Sequence, residues 1–323
     1  MRRILLVALV AVLTAALAPL PAPAMAAAPA VTGSVLVLVG DLVPQPGAGT
    51  TNHIATANLT RSINPAAVLV VGDIQYEVGR LAHYQHPDGY AGSWGRPDLY
   101  GRTYPVPGNH EYGDLGQGAT NDGWAATGGG YFDYWGAKAR PSGASYYSFE
   151  VNLSGGGSWH VVVLNSYCTY PPAPRCDSSS AQAEWLRSDL AAHPVACTLA
   201  VFHEPLFATR APHAGATKMR TLWDIMVGRG VDLVVSGHNH VYERFKPMLS
   251  GGAVDYASGI RSTIVGTGGK SLIGFTGPIA ANSVYRDDAH FGVLKLVLRP
   301  DGWTQAFKTT TGQSEDAVSA GCH

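Results

Sequence analysis

Five apolar runs in this sequence end in side chains that can bind metal ions. The polar residues at these ends are Asp41, Asp73, Asn109, His203, His238 and His240. Taken singly, an Asp after a strand is most often a turn or capping residue, and a lone His is usually a hydrogen-bonded polar residue. Six such side chains together, two of them at alternate positions of GHNH (237–240), instead predict a metal site.

The types of donor indicate which metals such a site would bind. Oxygen and imidazole donors without a thiolate suit Fe, Mn or Zn. Six donors exceed the four that a tetrahedral zinc ion takes, and a carboxylate can bridge two ions through its two oxygens. A pair of ions can clamp the attacking and leaving oxygens of a phosphoryl group and can turn a water into the attacking hydroxide. The donors therefore predict a two-metal site suited to phosphate esters.

The apolar runs themselves predict the strands that position these donors. They are SVLVLVGD (34–41), AAVLVVGD (66–73), TYPVPGNHE (103–111), CTLAVFHEP (197–205) and VDLVVSGHNH (231–240). Four are continuous runs rich in Leu and β-branched residues, which is typical of strands buried on both faces. In open α/β sheets, ligands bind at the carboxyl ends of the strands, and the polar residues occupy these ends.

Other segments complete the predicted fold. Periodic apolar residues predict helices over residues 55–63, 183–190 and 219–226. Closely spaced strand-like segments after residue 145 predict more sheet, partly antiparallel, with a hairpin turn at RPDG (299–302). Residues 113–145, rich in Gly, Tyr and Trp, predict an irregular insertion. The alternation of strands and helices, without a repeat or linker, predicts one α/β domain over residues 31–323.

The first 28 residues have the features of a secretory signal. Arg2 and Arg3 precede an apolar run over residues 4–17, and small residues follow, with a plausible cleavage site after Ala26 or Ala28. The run is short for a spanning helix and prolines stop it, so we expect export rather than a retained anchor. The mature protein is therefore expected to be secreted and to have no membrane segment.

Composition and charge limit the classes of partner. The chain has 323 residues, of which 46% are hydrophobic and 14% charged, as in globular proteins. Without the two leader arginines, 20 basic residues face 23 acidic ones, which gives a net charge of −3. No basic cluster is present, so the sequence predicts no nucleic-acid partner. It leaves the oligomeric state open.

The four cysteines, all after the leader, suggest two disulfides. An even count in an exported chain favours paired cysteines, and four allow three connectivities. Cys168 and Cys176 flank a proline-rich stretch, so we prefer a local bridge there, which leaves Cys197 to pair with Cys322. No CxxC spacing is present, so a cysteine metal site is not expected.

Five segments, taken in order, resemble the motif blocks of a known family. GDLV, GDIQY, GNHE, VFHEP and GHNH resemble those of the calcineurin-like metallophosphoesterases, and more narrowly those of the purple acid phosphatases, over about residues 34–269. The resemblance implies a four-layer α/β/β/α sandwich of two mixed sheets flanked by helices. It also implies a dinuclear-metal phosphatase that hydrolyses phosphate monoesters.

The resemblance assigns a role to each candidate residue. One ion would be held by Asp41, Asp73, Tyr76 and His240, with Asp73 bridging to the second ion. The second site would be completed by Asn109, His203 and His238. His110 would bind the phosphate or protonate the leaving group. His213 falls where such phosphatases often place another substrate-facing His, although RAPHAGA (210–216) could equally be an ordinary polar loop.

Tyr76 decides the subfamily and the metal. Most metallophosphoesterases open with DxH, but Asp41 is followed by Leu42 and Val43, so that His is missing. A Tyr76 phenolate is a hard anionic donor that favours Fe(III), with Fe(II), Zn or Mn as the partner ion; alternatively, Tyr76 is an aromatic of the rim. The acid phosphatases usually have GDxG where this chain has GDLV, and Val43 resists the backbone geometry that Gly allows, which leaves the shape of this loop open.

Two other functions share much of this evidence. A phosphodiesterase would use the same metals, with pocket shape set by the loops 76–105 and 113–145, whose aromatics could stack a leaving group or could simply pack. They are Tyr84, Tyr90, Trp94, Tyr100, Trp124, Tyr131, Tyr134 and Trp135. A non-catalytic metal or phosphate binder would have no need of His110. The segment IVGTGGKS (264–271) does not match a P-loop, and we interpret it as a tight loop near the site.

Overall fold

The computed structural model describes residues 33–113, 127–168, 173–209 and 213–323. The predicted signal over residues 1–28 lies outside this part of the chain. Residues Thr32–His323 group as one compact unit. Among the described residues, none of the helices has the length and apolar character that crossing a bilayer needs.

The first sheet is mixed and carries the first three loops with predicted metal ligands. Its strand order is β13-β12-β11-β1-β2-β3, with β1, β2 and β3 parallel and the other pairs antiparallel. The strands are β1 Ser34–Val39, β2 Ala67–Val71, β3 Thr103–Val106, β11 Gly292–Arg299, β12 Gly302–Thr309 and β13 Ser314–Gly321. The predicted RPDG turn joins β11 to β12 as a hairpin.

The second sheet is also mixed and carries the remaining predicted ligands. Its order is β10-β8-β9-β7-β6-β5-β4, with a parallel centre of β5, β6, β7 and β9 and antiparallel pairs at both edges. The strands are β4 Tyr147–Asn152, β5 Ser158–Val163, β6 Thr198–Val201, β7 Leu233–Ser236, β8 Tyr242–Phe245, β9 Arg261–Val265 and β10 Ser283–Asp287.

Helices cover the outer faces of both sheets. They are α1 Asn52–Ile63, α2 Leu81–Tyr84, α3 Pro97–Tyr100, α4 Gly129–Trp135, α5 Ala181–Ala192 and α6 Arg220–Val227. On β1, Leu36 and Leu38 face the core between the sheets, whereas Val37 and Val39 pack in the apolar layer that includes Ala57 of α1. The central strands are apolar throughout because both of their faces are buried. The predicted four-layer α/β/β/α sandwich is confirmed.

The insertion predicted as irregular over residues 113–145 contains a helix, α4. Its aromatic residues Tyr131, Tyr134 and Trp135 recur at helical spacing, and all three join the apolar layer outside the first sheet. The glycines on either side hid this periodicity. Burial of the aromatic face, rather than helix propensity, stabilises this short helix.

Both expected disulfides are present, Cys168–Cys176 and Cys197–Cys322. The first joins residues 8 apart in sequence and the second joins residues 125 apart. The longer bridge links β6 to the segment that follows β13, and so connects the two sheets.

The longer disulfide should stabilise the fold more than the shorter one. If a bridge acts by restricting the unfolded chain, the Cys197–Cys322 loop gains about 5 kcal/mol and the Cys168–Cys176 loop about 2.5 kcal/mol. We expect the double Ala variant of the long bridge to lose more free energy of unfolding than that of the short bridge, measured by denaturant titration. Equal losses would show that loop length does not govern the effect.

Candidate metal centre

The predicted metal ligands converge at the carboxyl ends of parallel strands from both sheets. Each follows its strand by two to five residues, after β1, β2, β3, β6 and β7. The residues brought together are Asp41, Asp73, Tyr76, Asn109, His203, His238 and His240. Convergence at one edge explains why five sequence segments contribute to one site.

The Tyr76 hydroxyl lies at the centre of one half of this cluster. It is 2.9 Å from Asp41 Oδ1, 3.0 Å from Asp73 Oδ2 and 3.0 Å from His240 Nε2. Tyr76 is 1% exposed, so it is not a rim aromatic. One hydroxyl proton can serve only one of these three neighbours.

The other half of the cluster surrounds the Asn109 side chain. Asn109 Oδ1 is 3.1 Å from His203 Nε2 and 3.0 Å from His238 Nδ1. His203 Nε2 is also 3.1 Å from Asp73 Oδ2, the oxygen that faces Tyr76. Asp73 therefore contacts both halves of the cluster.

The hydrogen bonding around His203 favours a cation between these side chains. Its Nδ1 lies 2.8 Å from the Val71 carbonyl oxygen and must donate a proton to it. A neutral ring then directs the lone pair of Nε2 at the oxygens of Asp73 and Asn109, which also accept. Burial lowers the pKa of His203, but the charge of Asp73 outweighs burial and raises this pKa to about 10. A metal ion would bind all three facing acceptors, His203 Nε2, Asp73 Oδ2 and Asn109 Oδ1, without a second proton on His203.

The buried charges of the cluster also favour a cation. Burial and the charges of Asp41 and Asp73 raise the pKa of Tyr76 well above its ordinary value, so its ionisation needs an added positive charge. Burial would raise the pKa of Asp73, but the neighbouring His203 and His110 lower it overall. Burial lowers the pKa of His238 and keeps its ring neutral, as a metal ligand must be.

Three of the site residues have left-handed backbone conformations. The φ angles are 60° at Asp41, 49° at Asp73 and 73° at His238. Such conformations are costly outside Gly and cluster at functional sites, where the surrounding structure enforces them. Here they turn the carboxylates and the imidazole back over the strand ends.

The loop after Asp41 accommodates Val43 at the position where the resemblance expects a glycine. Val43 is fully buried, and its backbone pairs in parallel with Gln75 and donates to the carbonyl of Ile74. The left-handed residue is Asp41 itself, so no glycine is needed two positions later. Val43 thus extends the pairing between the two loops that carry Asp41 and Asp73.

Glu111 supports the loops of two ligands, a role that its place in GNHE does not reveal. Its carboxylate accepts backbone hydrogen bonds from Asp73 (2.9 Å), Ile74 (2.8 Å) and Gly108 (2.7 Å), and one from the Tyr84 hydroxyl (3.1 Å). Burial and the charge of Asp73 raise its pKa to about 7. Glu111 joins the Asp73 loop to the Asn109 loop.

His110 and His213 line a cavity of about 420 Å³ beside the cluster. His110 Nδ1 is 2.5 Å from the Glu77 carbonyl oxygen, and its Nε2 is 3.8 Å from Asp73 Oδ2. The His213 ring stacks on His238 with centroids 4.3 Å apart. Glu77, Lys270, Ser271 and Ile273 line the same cavity, and sequence reasoning gave none of them a role.

The aromatics that could have stacked a leaving group do not line this cavity. Tyr84, Tyr90, Trp94, Tyr131 and Trp135 are buried in the apolar layer outside the first sheet, and Tyr100 and Tyr134 pack against it. Trp124 lies outside the described residues. Among the described residues that line the cavity, Tyr76 is the only Phe, Tyr or Trp. The aromatics therefore pack the loops.

The fold and the site belong to one class of protein. A family profile described as calcineurin-like phosphoesterase matches residues 35–242, and the chain belongs to that family. The match includes all seven residues of the cluster.

Within the family, the chain is similar to purple acid phosphatases. Purple acid phosphatase 21 of Arabidopsis thaliana is 37% identical over 110 residues, covering 32% of this chain and 23% of the relative. Purple acid phosphatase 15 of the same plant is 27% identical over 206 residues, covering 56% and 36%. Purple acid phosphatase PPD1 from yellow lupin (Lupinus luteus) seeds superposes with a TM-score of 0.72 at 18% identity, over 90% of this chain and 54% of that one. The chain spans well under two thirds of each.

Proposed function

We propose that the protein is a secreted dinuclear-metal phosphatase that hydrolyses phosphate monoesters. The main support for the proposal is that Asp73 Oδ2 lies close to both the Tyr76 hydroxyl and His203 Nε2. This cluster lies beside a cavity that His110 and His213 line. Family membership supports phosphoester hydrolysis. The two disulfides fit export, because such bonds persist in oxidising compartments.

The two halves of the cluster correspond to two metal sites. The first would comprise Asp41, Asp73, Tyr76 and His240, and the second Asp73, Asn109, His203 and His238. The Tyr76 phenolate suits Fe(III), and the imidazole-rich second site suits Fe(II), Zn or Mn. Bound ions would supply Lewis-acid activation of a water and would neutralise charge on the phosphoryl oxygens.

The protein's own groups would orient the ester and handle protons. The Glu77 carbonyl accepts the Nδ1–H of His110 and orients the ring, so that the Nε2–H of the imidazolium form would bind a phosphate oxygen or protonate the leaving alcohol. The backbone N–H of His110 donates to Asp73 Oδ1 (3.0 Å) and fixes this carboxylate. His213, whose ring stacks on that of His238, would contact the ester beside the second metal site. This chemistry needs no side-chain nucleophile, so no phosphoenzyme is expected.

The test compares p-nitrophenyl phosphate with bis(p-nitrophenyl) phosphate as substrates of the metal-replete protein. We expect kcat/KM to be higher for the monoester, and we expect chelation to abolish activity and metal addition to restore it. An acid optimum and visible absorption from a phenolate–Fe(III) pair, lost in Tyr76→Phe, would support the first-site assignment.

Two results would contradict the proposal. Faster hydrolysis of the diester would make the protein a phosphodiesterase with the same site. No hydrolysis of either substrate by a protein that contains two metal ions per chain would favour a binding role.

A further inference from the structure

The glycine-rich segment after β9 packs directly against the Asp41 loop. The backbone N–H of Gly268 donates to the Gly40 carbonyl (3.0 Å), and that of Lys270 donates to the Asp41 carbonyl (3.1 Å). A Cβ on Gly268 would lie 2.4 Å from the Gly40 oxygen, and one on Gly266 would lie 2.7 Å from Asp41 Oδ2. Glycine is therefore required at positions 266 and 268, and the close approach of this segment brings Lys270 and Ser271 to the cavity.

Both of these residues contact parts of the first metal site. Ser271 Oγ lies 2.7 Å from His240 Nδ1 and so orients that ring. Lys270 Nζ lies 4.7 Å from the centroid of the Tyr76 ring and pairs with the Glu77 carboxylate. Among the described residues that line the cavity, Lys270 is the only Lys or Arg.

The Lys270–Glu77 pair is exposed enough to exchange partners. The side chains are 21% and 35% exposed, so solvent weakens their attraction. A Lys ammonium is a compact charge on a flexible four-carbon stem, and it can reorient toward a nearby anion. Glu77 is an anion on the wall of a cavity that would receive an anionic substrate, so it would both occupy Lys270 and repel that substrate.

We propose that Lys270 is a substrate-binding residue, whose ammonium leaves Glu77 to bind the non-esterified oxygens of a phosphate monoester. A monoester with a second pKa near 6 is largely dianionic at neutral pH, whereas a diester carries a single charge. The contact between Lys270 and the phosphate therefore favours monoesters over diesters. Glu77 weakens this contact because it competes with the phosphate for the Lys270 ammonium. The substrate preference rests on the proposed phosphatase function, whereas the binding of inorganic phosphate by Lys270 does not.

The experiment measures kcat/KM for both p-nitrophenyl esters and the Kd of inorganic phosphate, in the metal-replete wild type and three variants. In Lys270→Met we expect kcat/KM for the monoester to fall about tenfold to a hundredfold, mainly through KM, and phosphate binding to weaken similarly. We expect the diester to lose less than about threefold, because it has one charge fewer to stabilise. Lys270→Arg should restore most of the loss.

Glu77→Gln should act in the opposite direction, with a lower Kd for phosphate and a lower KM for the monoester. If the pair had a purely structural role, both Lys270→Met and Glu77→Gln would bind phosphate and the monoester more weakly. The matched control is Lys308→Met, because Lys308 lies on β12 and is outside the cavity lining. Metal content and thermal stability should stay at wild-type values in all four variants.

Each possible result decides the proposal. Equal losses on both esters in Lys270→Met, or weaker phosphate binding in Glu77→Gln, would overturn it. If the wild type hydrolyses neither ester, but phosphate binding still weakens in Lys270→Met and tightens in Glu77→Gln, the proposed phosphatase function fails while the assignment of Lys270 as an anion ligand holds.

Discussion

Replacing Asp73 with Asn should reduce monoester turnover by about a thousandfold or more, because a lost metal site removes several kcal/mol of transition-state stabilisation. Asp73 Oδ2 is the atom that faces both Tyr76 and His203, and Asn offers a neutral amide in place of the anionic oxygens that could bridge two ions. The measurements are kcat with p-nitrophenyl phosphate and metal content per chain. We expect the bound metal to fall below two ions.

The matched control is Asp224→Asn, on the exposed face of α6, which should keep wild-type turnover and metal content. Comparing the folded stability of the metal-free proteins separates loss of a ligand from misfolding. Turnover that is unchanged in Asp73→Asn after chelation would rule out the two-metal proposal.

The ligand loops could be predicted from the sequence because their signal is local. Each is an apolar run followed within a few residues by a polar residue, and burial of both strand faces requires such a run. His203 illustrates this. Strand β6 ends at Val201, Phe202 is buried in the apolar layer that includes the outer helices, and His203 is the first polar residue after the strand. The sequence therefore predicted both the sheet and the edge at which these side chains meet.

Other parts of the site depend on contacts that no local pattern encodes. Lys270 faces Glu77 and Tyr76 only because the glycine segment crosses the Asp41 loop, and these segments are far apart in the chain. The role of Glu111 depends on which backbone N–H groups the neighbouring loops leave unpaired. The aromatics of the insertion have a composition that fits a binding surface equally well, and only packing in three dimensions shows that they are buried.

Replacing Glu111 with Gln should destabilise the protein and weaken its metal site. Its two carboxylate oxygens accept from five donors, the fifth being the backbone N–H of Gln75 (3.4 Å), whereas a Gln side chain has one acceptor oxygen and a nitrogen that donates. At least one pair of buried donors would lose its partner, at a cost of about 3 kcal/mol or more. We expect Tm to fall by roughly 5 to 10 °C. Metal affinity should fall about tenfold to a hundredfold, as for other supports of metal ligands.

The comparison of metal-free and metal-loaded protein tests the cause of this loss. The cost of unpaired donors should be present without metal, because the four backbone N–H groups that Glu111 accepts from belong to the Asp73 and Asn109 loops in either state. The matched control is Glu184→Gln on the exposed face of α5, which should leave both quantities unchanged. A Glu111→Gln protein with wild-type Tm and metal affinity would show that water or local rearrangement satisfies these donors. The carboxylate would then not be what holds the two loops in place for the metals.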